Sequence, residues 1–343
     1  MSKTKPLIQV FPIEEIKKYY SFHRMGEFEI LNLIGTGNFS EIFLAKPKED
    51  QIQKNSKIFN YIIKIFQKNS LIENKAKANP PKKILFNEIC EIHLLNKIKN
   101  IGNPNLIQMY DWSIDRKSCQ VAILMEYMPY NLRNYFSKKE NMIKLDENLL
   151  RKIAFNALNG LNGLHKNRII HFNIKPENLL FNPDDNSVKI TDFSLSQYIK
   201  YDLDNNLLIN GGTYSYQAIE GILNTKQYSF SFDIWSLGCI LMELSCGINP
   251  FEGKNQQTVL NKMITIFELD VNSSTNFDEY CKNELKLNFE KKRIINYITS
   301  NQKIKFKNDE FYDLISRMLC VNPLFRIKAE EALKHPWLVN DAY

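Results

Sequence analysis

From Phe28 onward the chain alternates apolar and polar residues with the period of strands, in the runs FEILNLIG, EIFLAK after a glycine turn, and IFNYIIKIF. Residues 1–24 ahead of them form a polar and aromatic lead-in without a clear period. Two Lys/Asn-rich stretches, about 46–57 and 67–83, read as loops or insertions, and Pro80-Pro81 rules out a continuous helix through the second. Residues 84–98, ILFNEICEIHLLNKI, carry apolar side chains at helical spacing, and the strand-like NLIQMYDWS and VAILMEYM follow. Beyond them the period lengthens. LLRKIAFNALNGLNGLH reads as a strongly amphipathic helix, and DIWSLGCILMEL, apolar nearly all round, reads as a buried one. FYDLISRML and AEEALKHPWL add two more helices. The pattern predicts an α+β chain, a small β-rich part with one main helix followed by a larger helical part. No internal repeat or low-complexity linker divides it.

Composition narrows the partners. The chain has 343 residues, 44% of them hydrophobic, enough for a substantial core. Its net charge of +7 comes from Lys scattered through an Asn- and Ile-rich background. There is no basic stripe with interleaved aromatics, so no nucleic-acid partner is expected. Six cysteines, Cys90, Cys119, Cys239, Cys246, Cys281 and Cys320, show no CxxC spacing, which argues against zinc and disulfides. The start, MSKTKPLIQVFPIEEIKK, lacks the layout of a signal peptide, and Ser2 stands where N-myristoylation needs glycine. No uninterrupted apolar run approaches membrane-spanning length, so no membrane partner is expected. The expected location is intracellular and cytoplasmic, with the nucleus left open.

The chemistry concentrates in short windows. Gly35-Thr36-Gly37-Asn38-Phe39-Ser40-Glu41-Ile42 lies between two strand-like runs, and Tyr61-Ile62-Ile63-Lys64 ends a strand. His171-Phe172-Asn173-Ile174-Lys175-Pro176-Glu177-Asn178 comes next, then Asp192-Phe193-Ser194 after the strand-like VKIT. Gly212-Thr213-Tyr214-Ser215-Tyr216-Gln217-Ala218-Ile219-Glu220, Asp233-Ile234-Trp235-Ser236-Leu237-Gly238 and Arg326 complete the series. In this order they resemble the motifs of eukaryotic protein kinases of the Ser/Thr type, over about 28–338. Thr213 and His335-Pro336-Trp337 resemble the calmodulin-dependent type, and the long segment after Gly253 the cyclin-dependent and MAP group.

The resemblance implies a bilobal fold spanning 25–338, with an N-lobe of about 25–127, a C-lobe of about 128–338, an extension 1–24 and a tail 339–343. It implies ATP and Mg²⁺ as cofactors, with a protein substrate or regulatory protein as partner. Gly35, Gly37 and Ile42 would cover the nucleotide, and Met125, Glu126, Met128 and Leu180 would contact it. Lys64 would hold the α- and β-phosphates. Glu88 fits as the acid that holds Lys64, because Ile92 one turn later then lands on the apolar face, and Glu91 is the alternative. Lys175 would face the γ-phosphate, while Asn178 and Asp192 would hold metal. Asp233 would brace the catalytic loop, and Glu220 with Arg326 would form a buried structural pair.

Several positions depart from the family pattern. Asn173 stands where the catalytic Asp belongs, and an amide cannot take up a proton near neutral pH. Phe172 replaces the Arg that reads a phosphate on the activation segment, so switching by that route is not expected. Ser40 and Ser194 replace glycines, Ile62 replaces the small residue over the adenine, and Ile219 replaces Pro. The expected activity is therefore weak or absent, that of a pseudokinase acting through partner binding. A genuine but slow Ser/Thr kinase is the alternative, and a scaffold that binds no nucleotide is a third reading.

Overall fold

The computed structural model describes residues 28–36, 40–48, 60–66, 86–114, 121–199, 213–223, 228–268 and 286–339. The lead-in 1–24, Gly37 and the stretch 67–83 lie outside the described residues, as does most of 46–57. The chain divides into two compact units, one drawn from residues up to Gly102 together with Ile107–Tyr127, the other from Asn103–Leu106 together with Met128 onward.

The first unit is an antiparallel sheet with one helix. Strands β1 (Phe28–Thr36), β2 (Ser40–Pro47), β3 (Tyr61–Phe66), β4 (Met109–Ile114) and β5 (Val121–Glu126) pair in the order β1-β2-β3-β5-β4. Helix α1 spans Phe86–Ile101. Register is what gives the sheet two different faces, because neighbours in register point the same way. Ala45, Ile63 and Leu124 pack on one face, with Phe28, Tyr61, Ile65 and Ala122 around them. Ile42, Lys64 and Ile123 are in register on the other, as are Leu44, Ile62 and Met125.

The second unit is mostly helical. It opens with β6 (Tyr130–Asn131), α2 (Leu132–Phe136), α3 (Lys139–Ile143), α4 (Glu147–Lys166) and β7 (Ile169–Ile170). Strands β8 (Leu179–Asn182), β9 (Ser187–Ile190) and β10 (Gln197–Tyr198) follow, then α5 (Ile219–Ile222) and α6 (Ser231–Cys246). Helices α7 (Gln256–Phe267), α8 (Lys286–Asn301), α9 (Glu310–Met318), α10 (Ala329–Ala332) and α11 (Pro336–Val339) complete it. AEEALKHPWL is thus two short helices where one was expected, because a proline cannot continue the turn preceding it.

Helix α4 starts where Asp146 accepts a hydrogen bond from the Leu149 N–H at 2.8 Å, and it buries Leu150, Ile153, Ala157, Leu161 and Leu164 as one stripe. Gly160 lets this helix close on its neighbours: a Cβ there would meet the Asn105 carbonyl oxygen and Ile190 Cδ1, each at 2.8 Å. Helix α6 is buried at every position from Phe232 to Met242, as a segment apolar nearly all round predicts. Trp337 of α11 donates its indole N–H to Glu147 at 3.0 Å, fastening the end of the described chain to the start of α4. Among the described residues, no helix is long and apolar enough to cross a membrane.

Candidate active site

In the first unit, Lys64 lies on the interior strand β3 and is almost fully buried. A buried ammonium needs a counter-charge. It has one in Glu91, whose carboxylate lies 2.5 Å from Nζ, with the two side chains 10% and 3% exposed. Among the described residues, the acid that holds Lys64 is Glu91, the alternative to Glu88, whose side chain lies outside the described residues. Helix phase accounts for Glu91. Glu91 heads the stripe that buries Leu94, Leu95 and Ile98, so packing that stripe onto the sheet turns Glu91 inward. Lys64 Nζ also sits 5.1 Å from the Phe66 ring centroid.

Ile42, Ile62 and Met125 share the face of Lys64, whereas Glu126 is in register with Tyr61 and belongs to the opposite face. The Glu126 N–H donates to the Gln108 carbonyl at 3.0 Å. Gly35 pairs with Ile42, and a Cβ there would make only ordinary contact with it at 3.7 Å, so the described neighbours do not require a glycine.

In the second unit the loop after β7 is held from beneath. The buried carboxylate of Asp233 accepts the N–H groups of His171 and Phe172, each at 2.9 Å, and lies 2.9 Å from His165 Nε2. Asp233 thus braces the loop as expected. This support holds Phe172 at φ 62, a left-handed conformation that costs a bulky residue about 1–2 kcal/mol. The Phe172 side chain is buried against Tyr228 and Phe232, with ring centroids 6.1 and 5.3 Å away. An apolar cluster therefore surrounds the side chain at 172.

His171 orders the next layer. Its Nδ1 accepts the Asn173 N–H at 3.2 Å and its Nε2 donates to the Thr191 carbonyl at 2.9 Å, a pattern only the neutral ring can satisfy. Burial lowers its pKa, against the opposing pull of Asp233 and Asp192. Phe193 stacks edge-on against the same ring, at 5.2 Å.

Asn173, Asn178 and Asp192 come together above this base. Asn178 donates its side-chain N–H to the Asn173 carbonyl at 2.8 Å, which leaves its amide oxygen as the limb able to bind a cation. Asn173 Nδ2 faces Asp192 Oδ2 at 3.4 Å, and Ser194 Oγ donates to Asp192 Oδ1 at 2.8 Å. Asp192 itself is left-handed, at φ 63. Lys175 Nζ makes a long contact of 3.4 Å to Thr213 Oγ1. Met128 and Leu180 are half-buried, Leu180 in register with Asn131 and Lys189. Among the described residues, no group of three or more His, Cys, Asp and Glu side chains could hold a metal.

A cluster beside the loop was not foreseen. Arg133 of α2 places Nε 2.9 Å from Glu177 and Nη1 2.5 Å from Glu243, and it also bonds the Tyr216 hydroxyl. Tyr216 donates in turn to Glu243 at 2.6 Å. Burial alone would lower the Arg133 pKa, but the Glu243 carboxylate raises it. Glu177, the single carboxylate of the loop 171–178, is therefore engaged by a guanidinium. Farther off, Arg326 and Glu220 form the expected pair at 2.8 and 3.1 Å, with side chains 0% and 1% exposed. Trp235 lies under the guanidinium at 4.9 Å.

The protein kinase domain family matches residues 28–338, and the chain belongs to that family. Over 324 residues it is 28% identical to a probable cyclin-dependent serine/threonine-protein kinase of Dictyostelium discoideum, covering 92% of this chain and 21% of that protein. It is 26% identical to an Aurora kinase of Schizosaccharomyces pombe, over 94% of this chain and 74% of the relative. It is 27% identical to myosin light chain kinase family member 4 of Homo sapiens, over 93% and 67%. The chain thus spans about a fifth of the first relative and two thirds or more of the other two.

Proposed function

We propose that this chain is an ATP-binding member of the protein kinase family whose phosphoryl transfer is absent or strongly impaired, and that it acts by engaging a regulatory protein partner. The observation that carries this reading is Asn173, which stands in the place of the catalytic base with its amide nitrogen turned to Asp192 at 3.4 Å. An amide oxygen can orient a substrate hydroxyl but cannot accept its proton at neutral pH. Loss of a general base costs about 10²–10⁴-fold in rate. Glu177 is no substitute while it pairs with Arg133.

The nucleotide side of the chemistry has more support. Lys64 supplies an ammonium for phosphate oxygens and is oriented by Glu91. Asn178 and Asp192 supply hard oxygen ligands of the kind Mg²⁺ takes. When bound, that ion neutralises phosphate charge. The Lys175–Thr213 contact favours a second reading, a slow Ser/Thr kinase that transfers the ATP γ-phosphate to protein hydroxyls.

One experiment separates the two. ATP with Mg²⁺ at about 100 times its Kd should stabilise the parent by roughly 2.7 kcal/mol. Turnover on a generic protein substrate should be near background and rise by about 10²-fold or more in Asn173→Asp. Brisk phosphorylation by the parent, abolished in Lys64→Met, overturns the first reading, and the absence of any detectable turnover in the parent ends the second.

A further inference from the structure

Two side chains meet the Asp192 carboxylate where the family pattern supplies either a charge or nothing. Ser194 Oγ donates to Oδ1 at 2.8 Å, and Asn173 Nδ2 faces Oδ2 at 3.4 Å. The orientation of Asn173 follows from its partner, since an amide oxygen turned to a carboxylate would set acceptor against acceptor. An aspartate at 173 would instead place two carboxylates about 3.4 Å apart. Like charges that close repel unless a cation lies between them. A glycine at 194 would remove the hydroxyl that solvates Oδ1.

We propose that Asn173 and Ser194 satisfy Asp192 as hydrogen-bond donors in place of a divalent cation, so that this chain binds nucleotide with little dependence on Mg²⁺. The inference rests on the ATP-binding reading above and deepens it. Two effects act in the same direction. Asn173 removes one of the two negative charges that would oppose the phosphates without a metal. The donors also aim their hydrogens at the oxygens a dication would need, and displacing one hydrogen bond to a charged group weakens cation binding about tenfold. Ser194 is in this scheme a positioning residue, acting through Asp192.

The test measures ATP affinity by calorimetry and by thermal shift, in excess EDTA and across a Mg²⁺ titration, on the parent, Ser194→Gly, Ser194→Thr and Asn173→Asp. The parent should bind ATP in EDTA within about twofold of its affinity in Mg²⁺. Ser194→Gly and Asn173→Asp should each gain a Mg²⁺ enhancement of about tenfold, while Ser194→Thr, which keeps the hydroxyl, should behave as the parent. A parent that binds ATP only when Mg²⁺ is present overturns this inference and leaves the ATP-binding reading standing. A Ser194→Gly variant as indifferent to Mg²⁺ as the parent removes Ser194 from the account. Absence of ATP binding under every condition overturns both.

Discussion

Replacing Asp233 with alanine removes the support on which the loop at 171–178 rests, and its cost can be worked from the hydrogen bonds. The carboxylate is fully buried and accepts the N–H groups of His171 and Phe172 at 2.9 Å each. Stranding a buried donor costs about 1–3 kcal/mol, so losing both acceptors amounts to about 2–6 kcal/mol. Domains of ordinary stability hold only about 5–15 kcal/mol in total. Asp233→Asn retains one acceptor oxygen and should lose about half as much. Urea unfolding followed by tryptophan fluorescence measures the loss as a lower midpoint at unchanged slope. Hydrogen exchange should show the His171 and Phe172 amides deprotected first. A loss under about 1 kcal/mol, or exchange at those amides no faster than in the parent, would refute the claim that Asp233 carries the loop.

Breaking the Glu220–Arg326 pair by Glu220→Gln should cost about 3–5 kcal/mol, because it leaves a buried guanidinium uncompensated, whereas replacing both residues with leucine and methionine should recover most of that. Thermal unfolding of the single and double variants decides it, and a double variant as unstable as the single one would contradict the reasoning. His171 is neutral in the fold with a lowered pKa, so the unfolded chain binds the extra proton first. Its stabilising contribution is fully present above the unfolded value of about 6.5 and is lost as pH falls below it. The parent's midpoint should drop between pH 7 and 5 more steeply than that of His171→Gln, and parallel profiles would dismiss this source. Glu91→Gln should weaken ATP binding about tenfold or more by loosening Lys64, while Glu88→Gln should leave it near the parent value. Equal effects from the two would contradict the pairing of Lys64 with Glu91.

Much of the site was legible because its chemistry is carried by short windows of residue identity. Asn173, Phe172 before it and Ser194 after Asp192-Phe193 are identities of the chain, readable before any fold is known. The α+β architecture was legible for a similar reason, since a change of apolar period from two to 3.6 marks where strands give way to helices. The choice between Glu88 and Glu91 was not. Three residues along a helix differ by only about 60° in direction, and the inward turn of Glu91 depends on how Leu94, Leu95 and Ile98 seat against the sheet.

The linear order of residues alone carried the resemblance to the protein kinase family, the asparagine at 173 and the expected burial of α6, because each depends on identity or periodicity within short windows. Only the tertiary structure decided that Glu91 holds Lys64, that Arg133 joins Glu177, Tyr216 and Glu243, and that Phe172 packs among Tyr228 and Phe232. It also decided that an amide and a hydroxyl both address Asp192. Most of these contacts join residues far apart in the chain, and hydrogen-bonding and charge complementarity act on distances that exist only once the helices and strands have packed.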